Sequence, residues 1–591
     1  MSAHQASQRP RHPFHRRAGA PWWTGRSALP AALLLGAAAA GHAQLQPPEA
    51  PVGNPLTADK ANLGKVLFWD EQISSTRTVS CGTCHIPAVG GEDPRSGVSP
   101  LAVHPGPDGL FGGEDDVFGS PGVPLNHADG LYDWSTHFGL LEQVTGRRTI
   151  SSINAGYSPE LFWDGRAPTE FTDPVTNEVV PGLETGAALE SQAVGPPVSD
   201  AEMANVGRVW EDVLARIDAS VPLALSPEVP ADLIAWIDGR SYQQLFAQAF
   251  GTQEITAPRV AMAIASYERT QFTAETPFDE WLGGNPSALT AQEIAGANVF
   301  TVTGNCDNCH PSPVLTDHSF RYTGVRPQAD DPGRMEVTEE EADEGKMRVP
   351  MLRNLELRAP FMHNGRLATV EEVIEFYDRG GDFGPPENPN LDPFIQPLNL
   401  TPQQKADLLA FLTRPLTDPR LAAGLPPFDR PTLYTESDRV PLVLGSGQPG
   451  SGGFVPFVVA LEPALLGNPS FTVGVWNALG GANARLVIDE EDPGLVEPAP
   501  GTGTLVDAQV ALLGAGAGAG FGSISVPIPN DSSLDRALWF GRWYVDDPGG
   551  ASSLAVSKVF RFKTFGVHQQ TAIFADGFES GDLSAWSASV E

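Results

Sequence analysis

Four cysteines occur in 591 residues, and all four belong to two copies of one pattern: Cys81-Gly82-Thr83-Cys84-His85 and Cys306-Asp307-Asn308-Cys309-His310. This constrains the chain more than its composition does. C-x-x-C-H is the attachment signature of haem c. The two thiols add across the vinyl groups of the macrocycle, and the histidine that follows becomes the proximal iron ligand. Paired cysteines also suggest a redox dithiol or a four-cysteine zinc site. Neither needs histidine directly after both pairs, and the 221 residues between Cys84 and Cys306 are far from ribbon spacing. Two covalently bound haem c groups are therefore expected, with Cys81, Cys84, Cys306 and Cys309 as attachment points and His85 and His310 as iron ligands.

Haem c is assembled outside the cytoplasmic membrane, and the N-terminus agrees with export. Residues 1–43 contain Arg9, Arg11, Arg16, Arg17 and Arg26 and no acid, then an apolar run from Ala28 to Ala40 that ends in Gly41-His42-Ala43. A basic region, a short apolar stretch and a small-x-small site describe a secretory signal peptide. Thirteen residues that include Pro30 and Gly36 are too few to span a bilayer. Cleavage after Ala43 and a periplasmic or secreted location are expected, and no later segment reads as transmembrane. Removing these five arginines from 37 basic residues leaves 32 against 72 acidic ones, a formal charge of −40. Such a surface excludes nucleic acid and anionic membrane as partners. It leaves room for a basic protein or a small uncharged oxidant.

The residues around the two motifs carry more. Asn54-Pro55-Leu56-Thr57, Leu63-Gly64 and Leu67-Phe68 precede the first motif, and Leu161-Phe162-Trp163-Asp164-Gly165-Arg166 follows it. Around the second are Asp331-Pro332-Gly333-Arg334, Val349-Pro350, Leu352-Arg353-Asn354 and Ala359-Pro360-Phe361-Met362-His363-Asn364-Gly365-Arg366. In these segments, over roughly residues 53 to 425, the chain resembles the bacterial dihaem cytochrome c peroxidase family. That family includes the methylamine-utilisation dihaem enzymes, which oxidise a partner protein.

The resemblance implies a set of site residues. Gln192 and Glu202, ten apart, fall where the family places a glutamine and a glutamate on the open side of the first haem. Splitting the O–O bond of peroxide requires moving a proton from the near to the far oxygen, which a carboxylate above the iron performs as general base and acid. Gln192 would hold the peroxide or a water in line, and Pro196 would fill space without supplying a ligand. Trp163 matches the tryptophan between the haems and would relay electrons. Arg353 is expected among the cofactor contacts. Tyr377 stands fourteen residues beyond His363, where typical peroxidases have methionine and the methylamine-utilisation type has tyrosine. It is the expected sixth ligand of the second haem, with Met362 as the competitor. A phenolate stabilises the higher oxidation states of iron, and methionine does the opposite. His104, His127 and His137 lack the context of a capping ligand, so the first haem is expected open. Calcium, usual between the haems, is in doubt here. Its asparagine position falls on Arg148 and a nearby threonine position on Arg358, and a guanidinium has no lone pair to give.

The expected fold is mainly α: two cytochrome c-like haem domains (44–250 and 251–425), a linker (426–444), an all-β sandwich-like module (445–570) and a tail (571–591). Apolar positions 260, 261, 263, 264 and 267 mark a helix over Ala257–Thr270, and Ala406–Leu412 reads as another. Thr172–Ala188 reads as an inserted surface loop. Alternation in Phe471–Val475, Arg485–Ile488 and Ser523–Val526 marks strands. The implied activity is reduction of hydrogen peroxide with electrons from a small cytochrome c or cupredoxin, or oxidation of a partner protein. A non-catalytic electron-transfer protein and an oxygen-dependent dihaem oxygenase are the alternatives.

Overall fold

The computed structural model describes residues 45–567. The expected signal peptide, His568 and the segment Phe574–Asp582 lie outside the described residues. Residues 58–422 are helical with long loops, and residues from Leu442 onward are β-rich.

The expected helix Ala257–Thr270 forms over those bounds, with the Thr256 side chain accepting from the Arg259 amide and Pro258 in the first turn, where its missing N–H costs nothing. Its face of Val260, Ala261, Ala263, Ile264 and Tyr267 is buried against helix Ala58–Trp69, which contributes Leu63, Val66 and Leu67. Burying each such aliphatic side chain contributes roughly 1.5–3 kcal/mol. The two helices cross at Gly64, where a Cβ would come within 1.9 Å of the Ala263 carbonyl oxygen. The second half repeats this device. Helix Ala291–Asn298 crosses helix Pro402–Leu412 at Gly296, and a Cβ there would lie 1.9 Å from the Asp407 carbonyl oxygen. In both halves the crossing glycine is followed four residues later by a phenylalanine, Phe68 or Phe300, buried beside the C-x-x-C-H segment.

The β-rich part packs two antiparallel sheets face to face. One has the order Val506–Ala511, Asn483–Asp489, Leu538–Asp546, Val559–Lys563, Leu442–Leu444, with Leu554–Val556 also paired to Leu538–Asp546. The other has the order Gly516–Val526, Phe471–Gly480, Phe457–Ala460. Leu486, Ile488, Trp543 and Phe560 from the first meet Val458, Phe471, Val473 and Val475 from the second in one core. The three alternating segments expected as strands lie within these strands.

This β region sits on the loop that follows the first haem motif. Tyr132 exchanges hydrogen bonds with Ser523 and donates its hydroxyl to Glu462. Trp134 packs on Trp476 and Phe521 at ring-centroid distances of 5.7 and 5.0 Å. Glu462 is 1% exposed and burial pushes its carboxyl up to about 8. Among the described residues no helix is long and apolar enough to cross a membrane.

Candidate active site

Cys81–Cys84 forms a single helical turn, started by the Ser80 amide donating to Thr83 Oγ1 at 2.9 Å. The turn lies flat on Trp69: a Cβ at Gly82 would be 2.2 Å from the indole. Cys306–Asn308 is a 3-10 turn reached through a π-helical turn, Val299–Thr303. After each turn the histidine is held in the same way. His85 Nδ1 lies 2.9 Å from the Gly91 carbonyl oxygen, and His310 Nδ1 lies 3.0 Å from that of Leu315. A carbonyl only accepts, so Nδ1 carries the proton and Nε2 keeps its lone pair for a metal. Burial lowers both imidazoles, His310 to about 4, so both are neutral donors. None of the four cysteines is in a disulfide. Burial pushes the thiols of Cys81 and Cys306 up to about 12 and raises those of Cys84 and Cys309. A redox dithiol needs the opposite shift. Among the described residues no three His, Cys, Asp or Glu side chains converge as a metal cage, which leaves the zinc reading without a site.

A cavity of about 600 Å3 opens beside the first motif, within the roughly 300–1,000 Å3 of cofactor pockets. Cys81, Cys84 and His85 line it, and so do Gln192, Pro196, Glu202 and Trp163. The residues the resemblance implied, from four separate segments, therefore share one space. Gln192 comes from helix Ala188–Ala193, and Pro196 starts the next 3-10 turn. Withdrawal from water raises the Glu202 carboxyl, opposed by the Arg166 guanidinium. Arg166 itself lies 3.6 Å over the Phe162 ring and bonds Asp164. His104 also lines the cavity, and its Nδ1 accepts from the Gly106 amide at 3.2 Å. His127 is exposed and paired with Asp133. Thr172–Ala188 contains a surface turn closed by the Thr172–Val179 bridge.

Trp163 connects the two halves. Its indole N–H donates to the Arg148 carbonyl at 2.8 Å, its own carbonyl accepts from the Arg348 amide at 2.7 Å, and its ring meets His363 edge-on at 6.2 Å. Beside it, Arg148 and Arg358 share one carboxylate, Glu92, and all three side chains are at most 6% exposed. Arg148 also donates to the Arg358 carbonyl, and Arg358 to that of Met351. Arg358 influences His310, and a Cβ at Gly90, next to the residue that holds His85, would touch its side chain. A calcium ion does not fit here: the side chains at its expected position are donors, and the one carboxylate is engaged.

In the second half, Met362 and Tyr377 pack against the same core as Cys306. Burial raises the phenol of Tyr377, on helix Val370–Asp378, and Cys309 and Cys306 stand close enough to add to the effect. Arg353 spends all five N–H groups on protein: two on Asp279, two on the Pro313 carbonyl and one on that of Thr273. It fixes the loop after His310 rather than offering a free donor to a cofactor. Buried polar atoms without a hydrogen-bond partner include His363 Nε2, beside Trp163, and Glu268 Oε2, in the cavity of the first motif. At the first motif, an imidazole Nε2 left available, paired neutral thiols, a cavity that mixes apolar side chains with arginines, and an orphaned carboxyl oxygen in its lining together fit a haem.

The family model for di-haem cytochrome c peroxidase matches residues 58–287. Cytochrome c551 peroxidase of Nitrosomonas europaea is 30% identical over 358 residues, 59% of this chain and 82% of that protein. The chain belongs to the di-haem cytochrome c peroxidase family. Methylamine utilization protein MauG of Methylorubrum extorquens is 30% identical over 379 residues, covering 63% of this chain and 84% of the relative. A solved structure of a MauG-like protein associated with microbial copper homeostasis covers 66% of this chain at 28% identity and a TM-score of 0.48. Membership makes this chain a haem-dependent oxidoreductase. The family model ends at residue 287, before the second C-x-x-C-H motif and the β-rich region. Reasoning from the sequence missed two residues at the cavity, Arg166 as the charge acting on Glu202 and Glu268, and it set His104 aside as a loop residue although His104 lines the cavity.

Proposed function

We propose that this protein is an exported dihaem c-type peroxidase that reduces hydrogen peroxide in the cavity lined by His85, Gln192 and Glu202. The observation that carries this reading is the convergence of Cys81, Cys84, His85, Gln192, Pro196 and Glu202 on one cavity. Residues 44–250 and 251–425 are read as two cytochrome c-like domains, with helix Ala257–Thr270 of the second stretch packed into the core of the first. Cys81 and Cys84 would hold one haem and Cys306 and Cys309 the other, with His85 and His310 on the irons. When bound, the haems supply redox-active iron and a store for oxidising equivalents.

The chain's own part is proton and electron management. Glu202 takes the proton from one peroxide oxygen and returns it to the other, after which water leaves. Burial raises its carboxyl, with Arg166 opposing, and a carboxyl so placed can both take and return a proton. Gln192 orients the peroxide with a neutral amide, and Pro196 offers no competing ligand. Arg166 stabilises the carboxylate form of Glu202. Trp163, held at both its N–H and its carbonyl, carries electrons between the two sites. Electrons come from a small cytochrome c or cupredoxin. A second reading, oxidation of a side chain on a partner protein, is favoured by Tyr377 beside both second-site cysteines, because a phenolate ligand lowers the haem potential. The chain then acts in the periplasm or outside the cell, with residues 445–570 as a spacer or docking module.

The test is Glu202→Gln. Peroxide turnover with reduced cytochrome c should fall by roughly 10²–10⁴-fold, with the Soret spectrum retained. Unchanged turnover would refute the role of Glu202. Oxygen uptake without peroxide would favour the oxygenase class instead.

A further inference from the structure

Among the carboxyl groups that line the cavity is one, Glu268, that the peroxide chemistry does not use. Glu268 lines it from helix Ala257–Thr270, four residues after Ile264, which lines it too. The residue is 5% exposed, and its Oε2 is buried with no hydrogen-bond partner. Unpaired buried carboxyls are costly and rarely kept without a use. The adjacent cation does not relieve it: Arg269 holds Glu190 with both arms at 2.8 and 2.9 Å.

The other elements around it offer no counter-charge either. Helix Ala58–Trp69 brings Lys60, bonded to Asn54 and the Pro55 carbonyl, and Lys65, paired with Asp429. Helix Ala188–Ala193 brings Glu190, whose charge reinforces the effect of burial, and the attachment turn brings Cys81, on which Glu268 acts electrostatically. Tyr267 next to it is a neutral phenol that accepts from Trp69. Glu202 lines the same cavity, with Arg166 as its own charge partner. Burial pushes the Glu268 carboxyl up to about 8, against the opposing pull of Arg269.

We propose that Glu268 is the proton-coupled acid of the first haem site, taking up one proton when that haem gains one electron and releasing it when the electron leaves. The proposal rests on the peroxidase reading of the cavity. The electron comes from the one-electron donor that the peroxidase consumes and the proton from solvent. Carboxylate becomes carboxylic acid, and no bond to the haem forms or breaks. Added negative charge at the iron attracts a proton to a buried carboxylate that lines the same cavity, in a medium where charges are weakly screened. Linkage makes the effect reciprocal, so the proton makes the electron easier to add. Glu268 differs from Glu202 in having a buried Oε2 with no hydrogen-bond partner and in lying beside a second carboxylate, Glu190, whose charge favours its protonated form.

An equilibrium redox titration of the holoprotein across pH, for wild type, Glu268→Gln and Glu202→Gln, tests this. The wild-type midpoint of the first haem should be flat where Glu268 is protonated in both redox states, fall by up to about 59 mV per unit where it is ionised only in the ferric protein, a tenfold change per unit for one electron, and level off again where it is ionised in both. Glu268→Gln should be flat throughout, and Glu202→Gln should keep the slope. A slope retained in Glu268→Gln, or absent from wild type, overturns the proposal. Should Glu268→Gln fail to assemble, Glu268→Asp must still show the slope with a displaced break, and a flat Asp variant also overturns it. A protein showing no haem couple at all, or no reaction with peroxide, would instead refute the reading on which the proposal rests.

Discussion

Replacing Glu92 by glutamine removes the one negative charge shared by Arg148 and Arg358 while keeping its shape. Both guanidiniums are nearly inaccessible, at 4% and 6% side-chain exposure. Breaking a buried ion pair by removing one partner typically costs about 3–5 kcal/mol, because the remaining charge is stranded. Here two charges are stranded, but each keeps a backbone carbonyl, Arg358 for Arg148 and Met351 for Arg358. The expected loss is therefore about 3 kcal/mol, the lower end of that range, or on the order of 100-fold in the unfolding equilibrium. Guanidinium unfolding followed at the haem Soret band reports the segment that contains the triad. The double variant Glu92→Gln/Arg358→Met leaves only one unpaired guanidinium, so it should recover part of the loss. A Glu92→Gln protein unfolding within about 0.5 kcal/mol of wild type, the scatter of an ordinary surface change, would refute the claim that this triad stands where a calcium ion would be held. So would a wild-type protein that loses stability on chelation.

Tyr377→Met should move the second haem toward a higher potential and introduce a His/Met near-infrared band in the ferric protein. The same band already present in wild type would favour Met362 as the ligand. Glu462→Gln should flatten the pH dependence of thermal stability. A carboxyl raised in the fold to about 8 contributes stability fully present below its ordinary value of 4.5 and lost as pH rises through about 8. An unchanged pH profile of Tm from about 5 to about 8 would contradict this. Trp476→Ala removes the shelf under Trp134 and should increase amide exchange in residues 125–141. Protection equal to wild type would show that the β region does not hold that loop.

The local features were legible because local chemistry encodes them. The C-x-x-C-H turns, the helix over Ala257–Thr270 with its Thr256 cap, and the alternating strands all follow from spacing and period. Glu268 was legible in principle: it lies four residues after Ile264 and seven after Ala261, on the buried face, and a charge at a core position signals function. What was not legible depends on contacts between distant segments. Nothing near Arg353 announces that its five donors are taken by Asp279, Pro313 and Thr273. Nothing near Tyr132 or Trp134 announces a partner almost 400 residues away on the β region. Arg148 and Arg358 were visible as poor calcium ligands, but Glu92 as their common counter-ion appears only once the two halves are folded together.

The most direct measurement combines the mass of the denatured polypeptide with the ferric spectrum before and after one equivalent of peroxide. The account predicts a chain carrying two covalently attached haems, one of them with an exchangeable coordination position, and a prompt spectral change that Glu202→Gln slows by orders of magnitude. A polypeptide without attached haem, or one whose two irons are both closed and unresponsive to peroxide, would contradict it.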